Sequence, residues 1–271
     1  MPSAQTAPGF VASIGGLTLS VLKFVGGVSL LLADALTHTF VGPFRGRPVR
    51  VAEVFRQAAR VGPGSLGVVF LVNFFIGVIL ALIGGKLLLK LGFTRYVGDL
   101  MSVGVVLELG PLLTGIIMTG YIGAAFAAEI GTMVVAEETT AMQTMALNPT
   151  RYLVAPRVLA TMIMIPCVTL LGDLVGIFGG LVVAVTVLDL SPQLFFDQAW
   201  ASLEASFVWR GLFKASVFGV IIGTVGCYQG FRVKGGAEGV GRVTTEAVVT
   251  IIIAIIITDA ILNYFLLFRL D

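Results

Sequence analysis

Long apolar stretches separated by short polar segments dominate the chain. They cover about Gly64–Leu89, Asp99–Ala128, Tyr152–Leu188, Leu212–Phe231 and Ala247–Phe268. Each is long enough to cross a bilayer, which takes about 20 apolar residues in a helix. Inside hydrocarbon only a helix satisfies the backbone polar groups of a single segment. The pattern therefore predicts five transmembrane helices.

A further apolar stretch, Phe10–Phe40, precedes these five and contains Lys23 and Asp34. A charged side chain at the centre of a bilayer costs about 2.5 kcal/mol or more. We therefore expect this stretch to form a helix that lies at the membrane interface. A sixth membrane span is the alternative.

The segment that follows, Arg45–Arg60, is rich in arginine. Val51, Val54, Phe55 and Ala58 recur in it at helical spacing, which predicts a basic amphipathic elbow helix on the membrane surface. With five spans, the elbow, residues 129–149 and residues 232–242 share one side of the membrane. This side carries more Lys and Arg than the other, so the positive-inside rule places it in the cytoplasm.

Composition supports a membrane domain. The 271 residues are 57% hydrophobic and 12% charged, against roughly 25% charged in an ordinary soluble domain. We expect one all-α integral membrane domain over residues 1–271, with interfacial and elbow helices at 10–62 and a five-span core at 64–269. The net charge of +2 and the scattered basic residues do not indicate a nucleic-acid partner.

The sequence offers no catalytic machinery. It has no Walker A pattern, so we expect any ATP hydrolysis in another chain. His38 is the only histidine, and Cys167 and Cys227 lack the spacing of metal ligands. We therefore predict no catalytic residue, cofactor or metal.

Three acidic residues, Glu108, Asp173 and Asp259, fall inside the predicted spans. An ionisable group in a span normally faces protein or a water-filled cavity. Glu108 precedes Gly110 and Pro111, which can break the helix and leave space for a polar group, so Glu108 is a candidate for a substrate cavity. An interhelical hydrogen bond is the alternative for Glu108, and packing is the favoured interpretation for the two aspartates.

A stripe of small residues in the third span predicts close helix packing, and the seam of a dimer is one place where such packing could occur. The stripe consists of Gly172, Gly176, Gly179 and Gly180.

The polar segment 129–149 separates two spans. Glu137 and Glu138 are followed by Met142 and Met145, which predicts a short amphipathic helix ended by Asn148-Pro149. Such a helix can dock in a groove of another protein. A solvated loop is the alternative.

Several spaced motifs follow one another along the chain. They are Glu108-Leu109-Gly110-Pro111, Gly120-Tyr121-Ile122-Gly123, Ala127–Met133, Glu137–Met142, Asn148–Arg157, Gly226–Gly230, Gly235–Gly241 and Thr244–Val249. Together they resemble the MlaE/YrbE permease family, over about residues 10–269.

The resemblance implies an ABC transporter permease for phospholipid or a related lipid. It would work as a dimer, taken as a homodimer, in a bacterial inner membrane, with a cytoplasmic ABC ATPase subunit and an MCE-domain lipid-binding protein. It also implies a coupling helix within 129–149, so the candidates for ATPase coupling are Glu129, Glu137, Glu138, Met142 and Met145.

Tyr121 stands where many members of that family carry an arginine before the Ile/Val-Gly pair. It is our second candidate for the substrate cavity.

Two other functions stay open. A stand-alone secondary transporter of a hydrophobic substrate would show inverted repeats and broken helices. An intramembrane enzyme would use Glu108 with Asp173, without the nucleophile or metal that such chemistry normally needs.

Overall fold

The computed structural model describes residues 10–41 and 50–268, and every regular element in these ranges is helical. The α-helices are α1 (Phe10–Leu36), α2 (Val51–Val61), α3 (Leu66–Lys90), α4 (Val97–Gly104), α5 (Gly110–Met118), α6 (Ala124–Val135), α7 (Glu138–Thr144), α8 (Ala155–Thr186), α9 (Pro192–Ser202), α10 (Ala205–Phe231) and α11 (Gly236–Phe268). Four π-helical turns, at Thr37–Val41, Val105–Leu109, Thr119–Gly123 and Thr150–Val154, and a 3₁₀ turn at Thr94–Tyr96 complete the set. The predicted all-α fold is confirmed.

Within the described ranges, six stretches are long and apolar enough to cross a membrane. They are Thr18–Thr39, Leu66–Lys90, Thr94–Val135, Thr150–Thr186, Ala205–Phe231 and Gly236–Leu266. The last five match the five predicted spans, and the first is the N-terminal helix. The fold is therefore that of an all-α membrane protein.

The second span is continuous, contrary to our expectation that Gly110 and Pro111 break it. A π turn over Val105–Leu109 precedes Pro111, which occupies the first turn of α5. Proline is tolerated there because its missing N–H and fixed φ suit the start of a helix. The helix thus passes the proline with a wider turn and no break.

Helix α1 packs along one end of the bundle. The rings of Phe24 and Tyr228 are 5.4 Å apart, and Tyr228 lies in the last turn of α10. His38, fourteen residues after Phe24, makes a second contact. Its Nε2 is 3.1 Å from Nδ2 of Asn148, which lies in the connection between α7 and α8. These two contacts are separated by about 21 Å of helix and lie at the same end of the bundle. This arrangement favours a helix at the interface over a sixth span.

The segment predicted as the elbow contains helix α2 (Val51–Val61), although Arg45 and Arg47 lie outside the described residues. Val61 is fully buried, whereas Val51 and Phe55 are exposed. A Cβ at Gly62, directly after α2, would overlap the side chain of Met164 in α8. The helix thus packs on the bundle with one face and presents apolar side chains outward, as a helix lying on a membrane does.

Helices α3 and α8 run parallel and pack closely through glycines. A Cβ at Gly77 would overlap the carbonyl oxygen of Gly176, and one at Gly179 would overlap that of Phe74. Small residues allow such an approach of two helix backbones in a membrane. The predicted close helix packing is present, and it occurs within one chain.

The bundle has two distinguishable ends. The elbow end gathers α2, α7 and residues 232–235, where Gly131 contacts Val233. The α9 end gathers α9 and the start of α4, with Phe195 and Val97 in its apolar core. The exposed indoles of Trp200 and Trp209 lie at the α9 end, and tryptophan at this level is typical of a membrane–water interface.

Candidate functional site

A cluster of charged and polar side chains joins the second span to α10 and α11. Lys214 Nζ donates to Glu108 Oε2 at 2.5 Å and to Asn263 Oδ1 at 2.9 Å, and it lies 2.8 Å from Asp259 Oδ1. Asn263 Nδ2 donates to Glu108 Oε1 at 3.0 Å and to Asp259 Oδ2 at 3.2 Å. We call these four residues the charged cluster.

The backbone of the second span explains why a lysine is needed there. Pro111 has no N–H, so the helix lacks the donor that would normally reach the carbonyl of Leu107 four residues earlier. Lys214 Nζ donates to that carbonyl at 3.2 Å. Gly211, one turn before Lys214, lets α10 lie close to the second span, since a Cβ at Gly211 would overlap the carbonyl oxygen of Val106. Lys214 thus satisfies a backbone acceptor that the proline leaves free.

The charged cluster is buried on one side and open on the other. The Lys214 side chain is 0% exposed, whereas that of Glu108 is 36% exposed. One lysine faces two carboxylates, so the cluster carries a formal charge of −1 if both are ionised. It can therefore offer a partly accessible carboxylate, held in place by an ammonium and an amide, to a polar group at membrane depth.

From the sequence we named only acidic residues as charges within the spans and missed Lys214, although Lys214 lies inside the predicted fourth span. In the structure α10 begins at Ala205, not near Leu212, so Lys214 lies well inside the helix. Arg210 interrupts the apolar run before Leu212 and made the span appear shorter. Asp259, which we interpreted as a packing residue, is part of the same cluster as Glu108.

Asp173 and Glu108 do not form a carboxylate pair. Asp173 lies against Gly110, two residues after Glu108, and residues two apart point to nearly opposite sides of a helix. The geometry gives no support to an enzyme that uses these two acids together. Groups of three or more residues able to hold a metal ion are absent from the described ranges.

Tyr121, the second cavity candidate, lies far from Glu108. Thirteen residues separate them along one continuous helix, which corresponds to about 20 Å. Tyr121 is 41% exposed, and its hydroxyl is next to Gly64 at the elbow end. The structure therefore does not bring the two candidates together within one chain.

Glu129 links three helices at the elbow end. Its carboxylate pairs with Arg60 of α2 and, at 3.0 Å, with Arg157 of α8. The Arg157 guanidinium is buried, donates to the carbonyl of Leu153 and lies over the ring of Phe126. Glu129 thus fastens the elbow helix to the start of the segment 129–149.

The remaining coupling candidates lie on and around α7. The predicted helix is present, but it ends at Thr144, before Asn148-Pro149, and Ala146 has a φ of +58°. Glu137 and Glu138 are exposed at its start. Met145 is 64% exposed, whereas Met142 turns inward and lines a hollow of about 370 Å³ together with Tyr152.

The two methionines therefore do not form one outward stripe. Met145 stands after the last turn of α7, because the chain leaves the helix at Thr144 and reverses through the left-handed Ala146. The outward surface at this end is formed by Glu137, Glu138 and Met145.

Comparisons with known proteins give a consistent family. The model of the family described as Permease MlaE matches residues 54–265. A probable ABC transporter permease protein of Rickettsia felis is 38% identical over 256 residues, which cover 93% of this chain and 95% of the relative. A probable ABC transporter permease protein of Synechocystis is 36% identical, covering 87% and 89%.

A plant relative is also similar, the Arabidopsis thaliana chloroplastic protein named TRIGALACTOSYLDIACYLGLYCEROL 1. It is 35% identical over 210 residues, which cover 78% of this chain and 60% of the plant protein. The family model covers most of the chain, and the Rickettsia and Synechocystis relatives match nearly end to end. This chain is a multi-pass membrane protein that belongs to the MlaE family of ABC transporter permeases.

Proposed function

We propose that the chain is the permease subunit of an ABC transporter that moves phospholipid or a related lipid between a bacterial inner membrane and an MCE-domain partner. A separate cytoplasmic ATPase subunit drives the movement. The name of the Arabidopsis relative, which contains that of a glycerolipid, is in line with a lipid substrate. The permease itself hydrolyses nothing.

The observation that carries this proposal is the charged cluster. Lipid tails lose little when they move from the bilayer to an apolar protein surface, while a head group needs polar contacts. Glu108 supplies a partly exposed carboxylate at membrane depth, held by the buried Lys214. Tyr121 supplies a polar contact nearer the elbow end.

The open side of Glu108 supports a dimer. A carboxylate that faces hydrocarbon is costly, so this side must face protein or a water-filled cavity. We propose that a second copy of the chain covers it and that the two copies enclose the lipid cavity. A stand-alone secondary transporter is the weaker alternative, because the second span is continuous and not broken.

The exposed surface formed by Glu137, Glu138 and Met145 is our proposed contact for the ATPase. It lies at the same end as the elbow helix and the Arg60–Glu129–Arg157 bridge. We propose that motion of the ATPase reaches the spans through this bridge. Met142 faces the chain's own hollow, so its part is to support α7 and not to contact the partner.

The lipid part is tested by mass spectrometry of lipids that co-purify with the chain in mild detergent. Glu108→Gln should lower phospholipid occupancy, because the head group loses a carboxylate, while the amide oxygen keeps one of the two hydrogen bonds that Glu108 accepts in the cluster. Gln193→Asp, an exposed change in α9, is the control and should leave occupancy at the native level. Equal occupancy in both variants would exclude Glu108 from the cavity.

The ATPase part is tested by affinity purification from native membranes. The double variant Glu138→Lys/Met145→Asp changes only exposed side chains and should lose the co-purifying ATPase, whereas Gln193→Asp should retain it. If no ATPase accompanies even the native chain, the coupled-permease proposal fails and the secondary transporter becomes the better function.

A further inference from the structure

Asp173 is buried in the bundle and takes no part in the charged cluster. It lies in the middle of α8 and is 3% exposed, and its Oδ1 has no hydrogen-bond partner. An ionised carboxylate without a partner is one of the most costly groups to bury. Something must therefore compensate this carboxyl group in the folded protein.

The surroundings of Asp173 are close-packed. A Cβ at Gly110 of α5 would overlap Asp173 Oδ1, and it would lie 3.0 Å from the carbonyl oxygen of Val105. The carboxyl group thus occupies the space that the missing side chain of Gly110 leaves, next to the π turn. We call this contact between α5 and α8 the Gly110 seam.

Two further polar groups continue the Gly110 seam. Helices α5 and α8 run in opposite directions, so one turn beyond the Gly110–Asp173 contact the helical spacing brings Thr114 opposite Thr169. Both threonines are completely buried, and both hydroxyls lack a hydrogen-bond partner. The seam is therefore a polar strip that neither helix satisfies.

No charged side chain on the packed elements compensates Asp173. On the second span and α10, Glu108 and Lys214 are bonded to each other. Asp99 lies at the start of α4, and on α3 Asn73 lies against Gly172, with its Nδ2 donating to the carbonyl of Val69. None of the ion pairs found among residues 10–41 and 50–268 includes Asp173.

The size of the compensating species follows from the packing. A buried water needs a space of about 10–15 Å³, and a divalent cation needs six or more oxygen ligands within about 2.0–2.6 Å. The direct contact between the carboxyl group and the backbone of Gly110 leaves room for neither at that point. A proton needs no extra space and removes the charge altogether.

We infer that Asp173 is a proton-binding site: its carboxyl group holds one proton, as a neutral acid, for as long as α5 and α8 are packed together. Release of the proton requires the Gly110 seam to open and admit water. This site is separate from the proposed lipid contact at Glu108, and its test does not depend on lipid or on an ATPase.

Infrared difference spectroscopy of the purified native chain at neutral pH tests the inference, because a protonated carboxyl absorbs apart from carboxylates. Asp173→Asn should lose the band of one protonated acid per chain. Asp259→Asn is the matched control and should keep this band. In heavy water the band should shift far more slowly than the bands of exposed groups, since the seam must open first.

Other results would overturn the proposal. One is that Asp173→Asn loses a carboxylate band and keeps every acid band. The other is that the acid band of the native chain shifts immediately in heavy water. If Asp173→Asn does not accumulate, the double variant Glu108→Gln/Asp259→Asn removes the acids of the charged cluster. An acid band that remains there and exchanges slowly supports the site, and its absence refutes it.

Discussion

Replacement of Lys214 by methionine is the sharpest probe of the charged cluster. Methionine is similar in length and uncharged, so the change removes the ammonium and leaves the shape of the side chain nearly intact. Lys214 serves Glu108, Asp259, Asn263 and the carbonyl of Leu107. Its loss leaves two carboxylates near each other with no cation, and with both carboxylates ionised the formal charge of the cluster goes from −1 to −2.

The expected cost follows from buried ion pairs. Removal of one partner from a buried pair typically costs about 3–5 kcal/mol, because the other charge stays buried and unpaired. For a chain of this size, one kcal/mol corresponds to about 2–4 °C of melting temperature. Lys214→Met should therefore lower the melting temperature of the purified permease by about 6–20 °C.

A neutral version of the cluster separates charge from packing. In Glu108→Gln/Lys214→Met/Asp259→Asn no buried charge is left, and the main remaining loss is the donor to the Leu107 carbonyl, about 1–3 kcal/mol. The triple variant should therefore melt above the single variant. The assay is thermal unfolding in detergent, followed by tryptophan fluorescence. If the triple variant melts at or below the temperature of Lys214→Met, the electrostatic reasoning is refuted.

Two further substitutions test other parts of the fold by the same assay. Gly77→Leu should lower the melting temperature by disrupting the parallel packing of α3 on α8, because even a Cβ at Gly77 overlaps the carbonyl oxygen of Gly176. Gly67→Ala is the control, since Gly67 faces open space on the same helix, and it should melt like the native chain. Glu129→Gln should lower the melting temperature by several degrees and speed cleavage near the elbow by protease, because it leaves the buried Arg157 without its carboxylate. Unchanged cleavage would show that this bridge does not hold the elbow.

The number of long helices could be predicted from the sequence. Apolar runs such as Leu66–Lys90 must be helical, because hydrocarbon offers their backbone no other hydrogen-bond partner. The residues at which these helices begin were predicted less accurately. The fourth and fifth spans begin earlier than expected, at Ala205 and Gly236, because polar residues such as Arg210 and Arg242 interrupt the apolar pattern without interrupting the helix.

The polar residues of the spans illustrate what a single sequence leaves open. Glu108 was identifiable as a candidate, because an acid in an apolar run stands out. Its partners Lys214, Asp259 and Asn263 lie about 100 to 155 residues further along the chain. Periodicity within one helix carries no information about which face meets which neighbour when all faces are apolar.

The sequence by itself determined the fold class, the five core spans, the elbow helix and the position of the connecting helix α7. These follow from local chemistry: apolar length, arginine-rich amphipathic spacing and a polar segment between two spans. Only the tertiary structure decided that Gly176 and Gly179 of α8 pack on α3, that Met142 faces inward while Met145 faces outward, and that Asp173 lies against Gly110 with no hydrogen-bond partner for its Oδ1. The physical reason is that each of these properties depends on the surface that a helix meets, which is set by the packing of the whole bundle.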